Sequence, residues 1–190
     1  MAGPLILASR SPQRRAILEQ LGLPFEVVVP EVEEVETGPA DQVALENARR
    51  KAHAAAGGAP PGVPVLGVDT VVSLGGRIYG KPGDDCEARA TLSVLSGRTH
   101  EVVSGLCLVQ DGVERIASAT TLVRFRTLGS ELLEWYLESG EWRERAGGYA
   151  IQGRGAALVA AIDGDYWNVV GLPVNTLLEL VPDAVERLRR

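Results

Sequence analysis

A chain of 190 residues with 45% hydrophobic side chains can bury a proper core and fits one ordinary domain. Its formal net charge of −6, with lysines and arginines scattered along the chain, excludes nonspecific binding of duplex nucleic acid through its phosphates. No run is apolar for long enough to span a membrane, and there are no repeats or low-complexity tracts.

The first segment, "MAGPLILAS", has neither a basic start nor a small-residue cleavage site and meets the charged "RSPQRR" at once, so it reads as a buried first strand in a cytoplasmic protein. "SPQRRAILEQLG" predicts a helix with Ser11 as N-cap, Pro12 at the first helical position and Gly22 as terminator. "FEVVVP" is a strand. The acidic run "EVEEVE" at 31–36 is by default a solvated loop, and otherwise a source of a metal-side carboxylate, Glu34. "DQVALENARRKAHAAA" predicts a helix opened by Asp41, with Val43, Ala44, Ala48, Ala52 and Ala55 on one face and Lys51 on or beside it. "GGAPPGVP" at 57–64 is a loop rather than a domain boundary.

"VLGVDTVVSL" and "RIYG" form a predicted hairpin around Gly75-Gly76, and "DDCEARATLSVLSG" a helix with capping-box spacing from Asp84 to Glu87. "THEVVSGLCLVQ" and "VERIASATTLVRFR" flank Asp111-Gly112, the strongest hairpin signal in the chain. "SELLEWYLESG" is a helix closed by Gly140. "AALVAAI" and "YWNVVG" are expected to pair as a hairpin across Asp163-Gly164-Asp165, and "VNTLLELVPDAVERLRR" to form a helix interrupted near Pro182. The expectation is one α/β domain over residues 1–190, with a mixed, partly antiparallel central sheet, hairpins and flanking helices; tight hairpins exclude a purely parallel doubly wound sheet.

Four features carry possible chemistry. The run from Gly75 through Gly80 to Lys81 imitates a P-loop, but Pro82 replaces the metal-binding hydroxyl and the β-favouring "RIY" fills the loop, so Lys81 sits instead at the end of a return strand, beside the strand that bears Asp69. A better anion site is the turn "SRSPQRR", where Ser9, Ser11, helix N-terminal amides, Arg14 and Arg15 can converge, with Gln13 in the same turn; a capped amphipathic helix with solvated arginines is the plain alternative. Asp69 lies inside an apolar strand, where an ionised carboxylate needs a partner, a metal or a cavity, unless it is a strand-end aspartate bonded to backbone; Thr70 faces the opposite side. Cys86 and Cys107 lack metal-type spacing and read as small buried hydrophobes, with neither a zinc site nor a disulfide framework.

The blocks "LASRSPQRRAILEQLGLPFEV", "ARRKA", "GVDTVV", "GKP", "LSGRTHEVVSG", "AGGYAIQG" and "YWNVVGLPV", in order over nearly the whole chain, resemble the Maf family of nucleotide pyrophosphatases. The resemblance implies hydrolysis of a nucleoside triphosphate to the monophosphate and pyrophosphate with a divalent cation (Mg2+, Mn2+ or Co2+). The reaction would take place in a substrate cleft of a fold related to the inosine triphosphate pyrophosphatases, in a cytoplasmic homodimer. By position it implies Asp69 as proton acceptor and metal ligand, Glu34 as second metal-side carboxylate, Ser9 and Arg14 as phosphate binders, and Lys51 and Lys81 as cations that neutralise the leaving pyrophosphate. Substrate choice looks tied to Gln13, Thr70 and Gln152. Thr70 and Gln152 fit the branch acting on dTTP and UTP, while Gln13 departs both from the arginine usual in that branch and from the aromatic of the 7-methyl-GTP branch; Arg145 stands where lysine is common. A modified-purine pyrophosphatase and a nonenzymatic inhibitor of septum formation are the rival readings. His100, Trp135, Trp142 and Trp167 read as a hydrogen-bonded histidine and as core or interface aromatics.

Overall fold

The Val- and Leu-rich runs pair into one mixed sheet in the computed structural model, which describes residues 4–181. β1 (Leu5–Ala8) lies parallel to β2 (Phe25–Val28) on one side and to β3 (Val65–Leu74) on the other. From β3 onward every pairing is antiparallel: β3 with β4 (Arg77–Tyr79) and β5 (Thr99–Gln110), β5 with β6 (Val113–Phe125), and β6 with β7 (Val159–Asp163). The strand order is β2-β1-β3-β5-β6-β7, with β4 attached to β3. The long β5–β6 hairpin turns at Asp111 (φ 49°) and Gly112 (φ 77°), the pair of positive φ angles whose twist suits a two-residue connection.

The helices are α1 (Pro12–Gln20), α2 (Ala40–Ala56), α3 (Asp85–Leu95), α4 (Ser130–Glu138), α5 (Tyr166–Val170) and α6 (Val174–Leu180). Alternation along the strands divides the core. Leu5, Leu7, Leu66, Val68, Leu106 and Leu108 pack with α1 and α6, while Val72, Val102 and Phe125 pack with α3 and α4. The opposite face of β3 and β5 is covered by α2. Its Ala44, Ala48 and Ala52 recur at helical spacing and are fully buried, and they meet glycines: a Cβ on Gly67 would lie 2.1 Å from the Ala48 carbonyl oxygen, and one on Gly105 2.4 Å from that of Ala44. Small residues on both surfaces therefore seat α2 closely against the sheet, and Asp69 lies on the face it covers.

Several terminal signals hold. Ser11 caps α1 by accepting from the Arg14 amide, with Pro12 at the first position, and Asp84 caps α3 by accepting from the Glu87 amide at 2.8 Å. Others are corrected. α2 begins at Ala40 with Asp41 in its first turn rather than as its cap, because a negative charge near the helix N-terminus is favourable without a capping bond. The segment "YWNVVG" is a helix, α5, and β7 pairs with β6 instead. Asp165 accepts from the Trp167 amide at 2.8 Å, and this cap overrides the β-preference of Tyr166, Trp167 and the valines. In "AALVAAI" the first three residues belong to a 3-10 turn, Arg154–Leu158, and the strand starts at Val159. Cys86 is exposed, because it occupies the first turn of α3 on the outward side. The interruption expected near Pro182 lies outside the described residues. No described helix is long and apolar enough to cross a membrane.

Candidate active site

The parallel pairing of β1 with β3 sets Ala8 against Gly67 and ends there, so Ser9 and Asp69 lie just past the last paired register, where β1 stops and β3 runs on to Leu74. Two groups of side chains meet there.

The first is built on the turn into α1. Arg14 is only 8% exposed and is held by three bonds: Nε to the Gly171 carbonyl (2.9 Å), Nη1 to Ser9 Oγ (3.0 Å) and Nη2 to Thr70 Oγ1 (3.1 Å). Ser9 Oγ also accepts from the Ser11 amide at 3.2 Å, and Ser11 Oγ donates to Gln13 Oε1 at 3.1 Å. Burial pushes the Arg14 guanidinium below its ordinary value, opposed by the negative fields of Asp69 and Glu34. A buried guanidinium needs such counter-charges nearby. Arg15 is exposed and does not join this group, since the one-residue step swings it round the helix away from Arg14.

The second group centres on Asp69, also 8% exposed. Its Oδ1 accepts from Lys51 Nζ at 2.6 Å and its Oδ2 from Asn47 Nδ2 at 3.1 Å. Lys51 Nζ lies at the same time 2.6 Å from Glu34 Oε1. One ammonium thus bridges two carboxylates from distant segments. The partners of Asp69 here are side chains from α2, not the backbone. The acidic run is likewise more than a solvated loop: Asn47 accepts from the Val35 amide at 2.7 Å and donates to the Val35 carbonyl at 2.9 Å, and Arg50 donates to the Glu33 carbonyl at 2.8 Å. Asn47, fully overlooked by the sequence reading, therefore fixes both Asp69 and the loop that carries Glu34. Its signal was a polar residue one turn before Lys51, beside the alanine face.

Lys81 is placed elsewhere. The β3–β4 ladder stops at Val72 and Tyr79, and Lys81 forms an exposed ion pair with Glu144 at 3.5 Å. Gly147 donates to the Gly80 carbonyl at 3.0 Å, which ties the "GKP" turn to the 144–148 segment instead of to Asp69. Gln152 is exposed, and among the described residues neither it nor Lys81 bonds to the Asp69 group. Thr70 shares a hydrogen bond with Ser104 at 2.8 Å in addition to holding Arg14. His100 is buried against Tyr149, its Nε2 2.9 Å from the phenol oxygen, and burial pulls its pKa down to about 4. Trp142 is buried and Trp135 is 41% exposed.

Asp69 and Glu34 suit a hard divalent cation. Both offer carboxylate oxygen and converge on one cation, the Lys51 ammonium, which would have to turn aside for an ion; magnesium is commonly bound by one or two carboxylates with substrate phosphates and water completing its shell.

The arrangement has relatives. A family model described as "Maf-like protein" matches residues 4–184. The chain belongs to this family. Among similar proteins, the dTTP/UTP pyrophosphatase of Symbiobacterium thermophilum is 47% identical, over 93% of this chain and 92% of that protein. That of Thermococcus gammatolerans is 44% identical over 98% and 100%, and that of Deinococcus radiodurans 45% identical over 95% and 92%. Among solved structures, the Staphylococcus aureus Ham1 protein aligns with 65% of this Maf-like chain and 72% of its own at 18% identity, with a TM-score of 0.46.

Proposed function

We propose that this Maf-like protein hydrolyses the α–β phosphoanhydride of dTTP and UTP, releasing the nucleoside monophosphate and pyrophosphate. The observation that carries the proposal is the Lys51 ammonium 2.6 Å from both Asp69 and Glu34, beside a buried Arg14 in the field of the same two carboxylates. Relatives that bear the dTTP/UTP pyrophosphatase name extend over nearly the whole chain.

Each residue then has a role that follows from its surroundings. Asp69 orients the attacking water and accepts its proton. Asn47 and Lys51 hold the two Asp69 oxygens in place. Arg14, locked by Ser9, Thr70 and Gly171, keeps N–H donors over for an anion and supplies a fixed positive charge to the triphosphate. Ser9, Ser11 and the Gln13 backbone amide at the start of α1 extend that phosphate site. Asp69 and Glu34 would hold a divalent ion, Mg2+ or Mn2+ with Co2+ as substitute, which would supply charge neutralisation and lower the pKa of a water. Lys81, which the structure pairs with Glu144, would lend charge to the triphosphate only on release from that exposed pair. Thr70 acts on specificity through Arg14 rather than by touching the base; Gln13 and Gln152 are the groups with amides available to read it.

The test is pyrophosphate release from dTTP, UTP, CTP, 7-methyl-GTP and ITP, each with magnesium, manganese and cobalt. The expected result is metal-dependent turnover highest with dTTP and UTP. Preference for 7-methyl-GTP or ITP would assign a modified-purine substrate instead, and absence of turnover with every pair would favour a nonenzymatic role.

A further inference from the structure

On the part of the α2 face away from Asp69, three potential metal ligands from three elements converge: His53 of α2, Cys107 of β5 and Glu114 of β6. One donor atom from each lies within 4.8 Å of the other two. Their side chains are brought together by the same close seating of α2 that the sheet glycines allow, and Gly67, one of those glycines, is paired directly with Cys107. The group has a floor and a mouth. Cys107 is fully buried, whereas the side chains of His53 and Glu114 are 54% and 27% exposed.

We infer that His53, Cys107 and Glu114 form a second metal site, for a divalent ion of the zinc class, distinct in ligand chemistry from the oxygen-lined Asp69–Glu34 site. Imidazole nitrogen, thiolate sulfur and carboxylate oxygen together select a borderline-soft ion and disfavour magnesium, which demands oxygen. Three protein ligands leave a fourth, solvent-facing position for water. Ligand atoms around a tetrahedral zinc stand about 3–4 Å apart, so binding opens the His53–Glu114 contact, now 2.5 Å between Nε2 and Oε2, and brings all three donors, now within 4.8 Å of one another, to that spacing; an exposed histidine can adjust by a side-chain rotation. On binding, the Cys107 S–H bond breaks, a sulfur–metal bond forms and the proton passes to solvent, which the ion's charge permits even for a buried thiol. Arg49 Nε lies 3.1 Å from each Glu114 oxygen. It orients the carboxylate from outside, as partners of metal ligands do, and its charge limits the affinity. Occupancy ties α2 to the β5–β6 hairpin, and α2 is the helix that presents Asn47 and Lys51 to Asp69.

The probe is Co2+ added to the full-length protein, read by sulfur-to-cobalt charge-transfer absorption, which oxygen ligands at Asp69 and Glu34 cannot produce. The expected result is a band that saturates at one equivalent, persists in Cys86→Ser, disappears in Cys107→Ser and requires at least about tenfold more cobalt in His53→Ala. Zn2+ at about a hundredfold excess over its Kd should raise the melting temperature of the wild type by about 5–10 °C, and that of His53→Ala far less. His53 is exposed, so its variant folds even if Cys107→Ser does not. No band in Cys86→Ser, or an undiminished response in His53→Ala, overturns the site. Neither readout depends on nucleotide turnover, so failure here and failure of the proposed pyrophosphatase activity are separable.

Discussion

Asn47 joins two parts of the candidate site. It is 2% exposed and spends its amide on Asp69 and on both backbone groups of Val35. Asn47→Ala leaves a buried carboxylate oxygen and a part-buried amide without partners, so we expect a loss of about 1–3 kcal/mol in urea unfolding. We also expect a higher metal concentration for half-maximal turnover, a readout that a purely structural role would not move. His100 provides a pH-dependent counterpart. Burial lowers its pKa from 6.5 to about 4 in the folded protein, so the unfolded chain binds more protons between those values. The stability associated with neutral His100 is complete above pH 6.5 and is lost as pH falls towards 4, by roughly 3 kcal/mol. Urea titrations across that window should show a steeper decline for wild type than for His100→Phe. At this scale the sequence was legible where a residue type conflicted with its surroundings: an aspartate in an apolar strand, a serine–proline pair opening a helix. It was silent where a role depended on a distant loop, as for Asn47, or on where a ladder stops, as for Lys81.

Among the elements, α2 does most to assemble the site. It delivers Asn47 and Lys51 because Ala44, Ala48 and Ala52 meet Gly67 and Gly105 without intervening side chains. A methyl group on Gly105 would fall 2.4 Å from the Ala44 carbonyl carbon and oxygen, so Gly105→Ala should push the helix outward, cost about 1–3 kcal/mol and depress turnover together with stability; thermal unfolding and pyrophosphate release measured on one preparation check both. The alanine periodicity made this helix face readable in advance. The strand expected at "YWNVVG" failed for a local reason, since the Asp165 cap outweighs side chains that favour strands.

Across the whole molecule, alternation of helix and strand with tight hairpin turns was enough to anticipate a mixed sheet. The strand order was not, because insertion of β5 between β3 and β6 rests on pairings such as Val65 with Val109 that join remote parts of the chain. That order places the parallel edge, with Ser9, beside the antiparallel strand that carries Asp69. Since Asp69 is already partnered by Lys51 and Asn47 without an ion, leaving magnesium out of the assay should abolish turnover while moving the melting temperature by less than about 2 °C. The most direct measurement is pyrophosphate release from dTTP with magnesium by the wild type and by Asp69→Asn, whose amide keeps the size of the carboxylate but cannot take the proton. The account predicts metal-dependent turnover that falls by about 10²–10⁴-fold in the variant while its fold persists; a variant that turns over dTTP at the wild-type rate would contradict it.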